Sequence, residues 1–261
     1  MAARLALRDV SLGFGGIQVL DAVSREVAPS SVFGLVGPNG AGKTFLFNRI
    51  SGYYRRSAGS ILIDDAEVLS MAPAGLARVG LARVGLARTF QHPALQLRAT
   101  VLENVLLGAH SRLGGGPWRG RFVRRRRFVA SGRFDRRRWS FLTGSGWVGR
   151  LMSRRMSCRM GCIRASSCVG RCCRGRSLLL DEPAAGLSHA EVESFIGSVA
   201  GIRSDFDLTI VIVEHYMGLI SAVTDRVVVL DHGRKLMEGT AAEAQRDPLV
   251  IEAYLGKWGV G

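Results

Sequence analysis

The fold is decided by one stretch of the chain, Gly37-Pro38-Asn39-Gly40-Ala41-Gly42-Lys43-Thr44. The apolar residues at 32–36 predict a buried strand before it, and the apolar positions within 45–50 predict the inner face of a helix after it. In a strand, glycine loop and helix arranged in this order, backbone N–H groups and the positive end of the helix cradle a polyphosphate. We therefore interpret residues 37–44 as a phosphate-binding loop.

The residues of this loop have different predicted tasks. The glycines allow the main chain to approach the anion, the Lys43 ammonium reaches the outer phosphates, and the Thr44 hydroxyl holds a magnesium ion. A plain glycine turn is the alternative interpretation, and the Lys43-Thr44 pair argues strongly against it. The expected cofactors are a nucleoside triphosphate and Mg²⁺.

Length and hydropathy limit the architecture. A chain of 261 residues that is 47% hydrophobic accommodates one large α/β domain, with or without a subdomain, but not two nucleotide-binding cores. No apolar run approaches the roughly 18 residues that a membrane-spanning helix needs. We expect a cytoplasmic protein without a leader sequence.

Acidic residues follow a second predicted strand. The apolar run at 177–180 ends in Asp181 and Glu182. A carboxylate at a strand end beside the phosphate loop can hold magnesium, and the next carboxylate can orient or deprotonate an attacking water. A solvent-exposed turn is the weaker alternative. The strand predicted at 208–213 leads to His215, which beside such a site can hydrogen-bond the terminal phosphate and the water.

Two further candidates carry weaker signals. Phe14 ends a predicted strand and could stack on an adenine ring, although an aromatic residue at that position is more often part of the core.

Gln91 follows a five-residue unit, Gly-Leu-Ala-Arg-Val, that occurs three times over 75–89 with threonine ending the third copy. Because a period of five matches no helix or strand face, we interpret the repeat as a tandem duplication in a surface connection.

The net charge of +15 comes from one segment. Residues 111–176 hold 19 of the 36 basic residues and one of the 21 acidic residues, so this segment carries +18 and the rest of the chain −3. All five cysteines also fall inside the segment. If this segment formed a helix, its arginines would lie on every face, and the segment lacks the glutamates that would form i, i+4 pairs with them.

Three interpretations of residues 111–176 remain open. The first is a basic arm for nucleic acid or anionic lipid. The second is a zinc site, although the cysteine spacing lacks a Cys-x2-Cys pair and a nearby histidine. The third is a segment encoded out of frame, because GC-rich codons in a wrong frame yield arginine, glycine, cysteine and serine with few acids. Residues 156–162 are compatible with the shifted reading Glu-Leu-Pro-Tyr-Gly-Val, and we favour this third interpretation.

The order of motifs resembles the ATP-binding subunits of ABC transporters over about 1–110 and 177–261. The similarity is greatest to the branched-chain amino acid importer type. It is carried by Phe14-Gly15-Gly16, Ala87-Arg88-Thr89-Phe90-Gln91, Thr100-Val101-Leu102-Glu103-Asn104-Val105, Ile212-Val213-Glu214-His215 and Tyr254-Leu255-Gly256.

The resemblance implies a role for each matching residue. Phe14 would stack on adenine, residues 37–44 would be the Walker A loop, and Gln91 would be the coupling glutamine, which can reach the nucleotide-bound magnesium and water. Asp181 would be the Walker B metal ligand, Glu182 the general base, and His215 the switch histidine. The implied catalytic residues are therefore Glu182, His215 and Gln91, and the implied metal ligands are Thr44, Gln91 and Asp181.

The resemblance also implies an architecture and partners. We expect a P-loop α/β core at 1–92 and 177–240, with a mainly parallel sheet and an amino-terminal antiparallel group. A helical subdomain at 93–176, abnormal from about 111, and a tail at 241–261 complete the domains. The expected partners are membrane permease subunits, a second ATP-binding subunit and, indirectly, a substrate-binding protein, on the cytoplasmic face of the plasma membrane. No nucleic acid is expected.

One departure from the family pattern is serious. Members work as dimers in which each ATP lies between one Walker A loop and the partner's signature sequence, and the chain contains no signature between Gln91 and Asp181. The shifted frame recovers Leu-Pro-Tyr-Gly there. The chain as written is therefore expected to bind ATP weakly and to misfold at 111–176. A catalytically impaired nucleotide-binding module and a nucleic-acid-associated ABC ATPase are the alternatives to an active importer subunit.

Overall fold

The computed structural model describes residues 4–54, 58–68, 85–89 and 176–255. The strands are β1 (Leu5–Phe14), β2 (Ile17–Val27), β3 (Val32–Val36), β4 (Ala58–Ile63), β5 (Ala66–Glu67), β6 (Leu86–Arg88), β7 (Ser177–Asp181), β8 (Thr209–Val213), β9 (Arg226–Asp231) and β10 (Arg234–Gly239). The helices are α1 (Lys43–Ile50), α2 (His189–Phe206), α3 (Met217–Val223), α4 (Ala241–Arg246) and α5 (Pro248–Leu255).

A six-stranded sheet in the order β10-β9-β3-β8-β7-β6 forms the centre of the fold. Its strands are parallel except for the antiparallel pair β9 and β10. Every residue of β3, β7 and β8 is buried, as expected for parallel strands that are covered on both faces. Since parallel strands end at the same edge, the segments that follow β3, β7 and β8 meet there. The predicted α/β class with a mainly parallel sheet is confirmed.

A second sheet in the order β2-β1-β4-β5 is antiparallel and forms the predicted amino-terminal group. Its inner residues share one hydrophobic core with Leu46, Phe47 and Ile50 of α1 and with one face of the central sheet. The opposite face of the central sheet packs against α2, α3, α4 and α5. Helix α1 therefore lies on the same side of the central sheet as the antiparallel sheet.

Helix α2 covers the central sheet and has a clear start signal. It begins after a capping box in which Ser188 and Glu191 exchange hydrogen bonds, which satisfies N–H groups at the helix start. Val192, Phe195, Val199 and Ile202 are buried against the central sheet. Residues at this spacing share one face of a helix, which is the face that packs against the sheet.

The interpretation of the repeat at 75–89 as a surface connection is wrong for its third copy. Leu86–Arg88 forms the parallel edge strand β6, and Leu86 and Ala87 are buried. A period of five residues fits no helix or strand face when the three copies are considered together. One copy alone is nevertheless long enough to form a strand that pairs with β7. The first two copies, the expected helical subdomain and the arginine-rich segment up to 175 lie outside the described residues. No helix in the described ranges is long and apolar enough to cross a membrane.

Candidate functional site

The phosphate loop leaves the carboxyl end of β3 through a residue that must be glycine. Gly37 has φ of +146°, and a Cβ atom there would lie 2.2 Å from the carbonyl oxygen of Leu230. Within the loop, the Ala41 N–H donates to the Pro38 carbonyl at 3.2 Å. The backbone of β9 therefore supports the start of the loop directly, which only a residue without a side chain permits.

The Lys43 ammonium lies inside the loop rather than in solvent. It donates to the carbonyl oxygens of Gly37 at 2.6 Å and Pro38 at 2.8 Å, and the residue is 8% exposed. Burial lowers the pKa of Lys43, and the negative charge of Glu182 partly offsets this effect. An ammonium has three donors, so this arrangement has room for one further acceptor such as a phosphate oxygen.

Helix α1 begins in a way that suits an anion. Its N-cap is Gly42, in the left-handed region with φ of +98°, and in the described part of the chain no side chain caps this end. The first N–H groups of a helix have no partner within the helix, and the helix dipole makes this end positive. With Lys43 beside it, the start of α1 fits the phosphates of a nucleotide.

The acidic pair lies at the end of β7, where the sequence places it. Asp181 is 6% exposed, and its Oδ2 atom accepts a hydrogen bond from Arg88 at 2.8 Å. Arg88 also donates to Asn48 at 2.7 Å and to Ser51 at 3.0 Å, and both of these acceptors belong to the α1 region. This guanidinium therefore ties the acidic end of β7 to the helix that follows the phosphate loop.

Glu182 adopts an unusual backbone conformation, with φ of +42°. Its N–H donates to the Val213 carbonyl at 2.9 Å, which fixes the residue against the end of β8. The negative charge of Glu182 acts to raise the pKa of Lys43, against the larger effect of burial. Through Arg88, the acidic end of β7 is held against the helix that begins at the phosphate loop, as the sequence interpretation requires.

His215 follows β8 at the same edge of the sheet, and its side chain is 61% exposed. Its neighbour Glu214 is 1% exposed and accepts hydrogen bonds from the N–H groups of Ala184 at 2.6 Å and His215 at 3.1 Å. Burial raises the pKa of Glu214, and these backbone donors partly oppose that effect. The buried carboxylate thus joins the loop that follows Glu182 to the loop that carries His215.

Phe14 lies at the turn between β1 and β2 and is 44% exposed. Its ring centroid is 5.8 Å from that of Phe45, which follows the phosphate loop directly, and 5.4 Å from that of Tyr54. The structure therefore places the aromatic residue close to the loop and open to solvent, and its stacking on adenine stays a prediction. Gln91 lies outside the described residues.

The fit to a magnesium ion rests on the donors present. Thr44 is exposed at the start of α1, and the Asp181 carboxylate lies at the end of β7, which β8 separates from β3. Hydroxyl and carboxylate oxygens are the hard ligands that Mg²⁺ prefers, usually with water completing the coordination. The residues fit this ion, and their role as ligands stays a prediction.

Sequence reasoning assigned no role to Arg88 or Glu214. The only sequence feature that could have indicated them is a charged residue next to an apolar strand. Arg88 is the last residue of β6, and Glu214 directly follows β8. A charged residue at a strand end is usually solvated, so this signal is weak without the tertiary contacts.

Comparisons with known families match most of the chain. The family described as ABC transporter matches residues 20–185, and the family described as branched-chain amino acid ATP-binding cassette transporter matches residues 234–257. The first match covers more than half of the chain and spans both the phosphate loop and the acidic pair.

Two curated relatives are similar over almost their whole length. The high-affinity branched-chain amino acid transport ATP-binding protein LivG of Escherichia coli (strain K12) is 33% identical over 255 residues, covering 97% of this chain and 98% of LivG. The corresponding protein BraF of Pseudomonas aeruginosa is 32% identical over 260 residues, covering 97% of this chain and 98% of BraF.

Solved structures support the fold. An ATP-binding cassette of an ABC transporter in its ADP conformation superimposes with a TM-score of 0.80 at 23% identity, covering 98% of this chain and 100% of the other. A nucleotide-free cassette gives a TM-score of 0.77 at 23% identity, with the same coverage.

Proposed function

Because the chain belongs to the ABC transporter family of ATP-binding proteins, we propose that it is the ATPase subunit of an importer of branched-chain amino acids. The transported solute is taken from LivG and BraF, which are named for this transport and match 97% of this chain. The match of residues 234–257 to the branched-chain amino acid cassette family supports the same solute class. The observation that supports the ATPase function is the Arg88 guanidinium, which bonds both to Asp181 at the end of β7 and to Asn48 and Ser51 of the α1 region.

Each residue of the site has a proposed task. Residues 37–44 hold the phosphates through backbone N–H groups and the Lys43 ammonium, and Phe14 stacks on the adenine ring. Thr44, Asp181 and Gln91 hold Mg²⁺, directly or through water. Bound ATP with Mg²⁺ supplies the terminal phosphoryl group and the neutralisation of its charge. Glu182 orients and deprotonates water for in-line attack, while His215 hydrogen-bonds the water and the phosphate.

The partners and location follow from the family. Transport ATP-binding subunits lie at the membrane without crossing it, and their function requires permease subunits. We assign the chain to the cytoplasmic face of the plasma membrane, with a second ATP-binding subunit as its dimer partner. A substrate-binding protein acts on it indirectly, through the permeases.

The test of the ATPase function is Glu182→Gln. This variant should bind ATP as tightly as the unaltered chain, because the phosphate-binding groups remain, but its hydrolysis should fall by about 100-fold or more because the general base is lost. The matched control is Glu193→Gln, which changes an exposed glutamate on α2 in the same way and should leave hydrolysis unchanged. Undiminished hydrolysis by Glu182→Gln would remove Glu182 from its proposed role.

A catalytically impaired nucleotide-binding module is the second candidate. It is favoured by the sequence itself, which contains no signature motif between Gln91 and Asp181. This candidate predicts that the chain binds ATP with no turnover and no cooperativity. Cooperative ATP hydrolysis by the chain as written would exclude it.

A further inference from the structure

The carboxyl-terminal helix contacts the phosphate loop through one hydroxyl group. The Tyr254 hydroxyl oxygen accepts a hydrogen bond from the Gly37 N–H at 2.9 Å, across 217 residues of sequence. Tyr254 lies in the last turn of α5, inside the segment that matches the branched-chain amino acid cassette family. The tasks proposed above for the nucleotide site make no use of this tyrosine.

Gly37 is fixed from three directions, and Tyr254 supplies one of them. The carbonyl of Leu230 lies where a side chain of Gly37 would be, and the Gly37 carbonyl accepts from Lys43. The remaining polar group of this residue, its N–H, is the donor to Tyr254. The first residue of the loop is therefore positioned by β9, by the loop's own lysine and by the carboxyl-terminal helix.

The turn that leads into this carboxyl-terminal segment holds the other end of the loop. Gly233, between β9 and β10, donates its N–H to the Ala41 carbonyl at 3.0 Å. A Cβ atom on Gly42 would lie 3.3 Å from the Gly233 Cα, so the two backbones are in contact. The phosphate loop is thus held at its start by Tyr254 and near its end by the turn at Gly233.

Helix α5 is itself anchored, which gives Tyr254 a defined position. Asp247 caps the start of the helix by accepting from the N–H groups of Leu249 at 2.8 Å and Val250 at 3.2 Å. Val250 is 6% exposed and belongs to the core beneath the central sheet. Burial also raises the pKa of Tyr254, so the hydroxyl is neutral at physiological pH.

We propose that Tyr254 is a positioning residue of the nucleotide site, which holds Gly37 in the conformation that binds phosphate and so couples nucleotide binding to the docking of α5. This inference rests on the proposed ATP-binding function and extends it to the carboxyl-terminal segment. Without the hydroxyl, the loop samples other conformations, and only a fraction of the molecules keeps the loop in the phosphate-binding conformation. The apparent dissociation constant for nucleotide is the intrinsic constant divided by this fraction, so it rises. By linkage, nucleotide binding stabilises the docked helix to the same extent.

The test compares Tyr254→Phe with Leu255→Ala in the full chain. Tyr254→Phe keeps the ring and removes only the hydroxyl, whereas Leu255→Ala alters a neighbouring side chain that is 66% exposed. Titration with ATP and with ADP, each with Mg²⁺, should give about 3- to 10-fold weaker binding for Tyr254→Phe and unchanged binding for Leu255→Ala. Without nucleotide, Tyr254→Phe should lower the thermal unfolding midpoint by only a few degrees, because one hydrogen bond is lost, and Leu255→Ala should leave it unchanged.

Amide hydrogen exchange distinguishes the proposed coupling from a merely structural role of Tyr254. ADP should slow amide exchange at 248–255 in the unaltered chain, and this protection should be lost in Tyr254→Phe. If the unaltered chain binds nucleotide and Tyr254→Phe binds it equally well, the coupling is refuted while the proposed function stands. Equal weakening in both variants would also refute it, because the effect would then belong to the helix and not to the hydroxyl. Failure of the unaltered chain to bind nucleotide would overturn the proposed function itself.

Discussion

Replacement of Arg88 by methionine tests the contact that joins β6, β7 and α1. The Arg88 side chain is 10% exposed and that of Asp181 is 7% exposed, so the two charges face each other largely out of water. The guanidinium also lies over the Phe47 ring, with its central carbon 4.6 Å from the ring centroid. Methionine keeps an apolar stem on that ring but leaves the Asp181 carboxylate buried without its cation.

The expected magnitude follows from the burial of the pair. Removal of one partner of a buried ion pair costs about 3–5 kcal/mol of unfolding free energy, because the remaining charge is uncompensated. For a domain of this size, 1 kcal/mol shifts the unfolding midpoint by about 2–4 °C, so Arg88→Met should lower it by roughly 6–20 °C. Urea unfolding followed by circular dichroism gives the free energies for comparison.

A double-mutant cycle separates the ion pair from the other contacts of Arg88. Asp181→Asn removes the charge that Arg88→Met leaves behind, so the double variant should lose less stability than the two single variants together, by about 1–3 kcal/mol. The matched control is the exposed pair Arg203 and Asp225, with side chains 35% and 43% exposed, where the coupling should be below about 1 kcal/mol. Additive losses at Arg88 and Asp181 would refute the reasoning.

Two further predictions concern the pH dependence of stability at Glu214 and the reading frame of residues 111–176. Burial raises the pKa of Glu214, so the folded protein holds this proton to a higher pH than the unfolded chain does. The unfolding free energy of the unaltered chain, measured relative to Glu214→Gln, should therefore fall as pH rises from the ordinary carboxyl range to the raised pKa and stay level above it. A difference that does not fall as pH rises above the ordinary carboxyl range would contradict this. Resequencing of codons 110–178 should show a frame change near each edge, and protein from the restored gene should hydrolyse ATP while the chain as written binds it weakly. An intact frame together with normal turnover would exclude the out-of-frame interpretation.

The sequence by itself determined the class of fold and predicted the main candidate site residues. Residues 37–44 are identifiable because a phosphate loop needs glycines, a lysine and a hydroxyl at fixed spacing within one short segment. The runs at 32–36, 177–180 and 208–213 are identifiable as strands because buried parallel strands are continuously apolar. Those features are local, so neighbouring residues suffice to reveal them.

Only the tertiary structure decided which distant residues support this site. Arg88 and Asp181 are 93 residues apart, and Gly37 and Tyr254 are 217 residues apart, and each pair meets because the sheet order sets the strand ends and α5 beside the phosphate loop. The third copy of the repeat became a buried strand because β7 offers a parallel partner at that edge. Contacts of this kind depend on the order of strands in space, which sequence spacing does not encode.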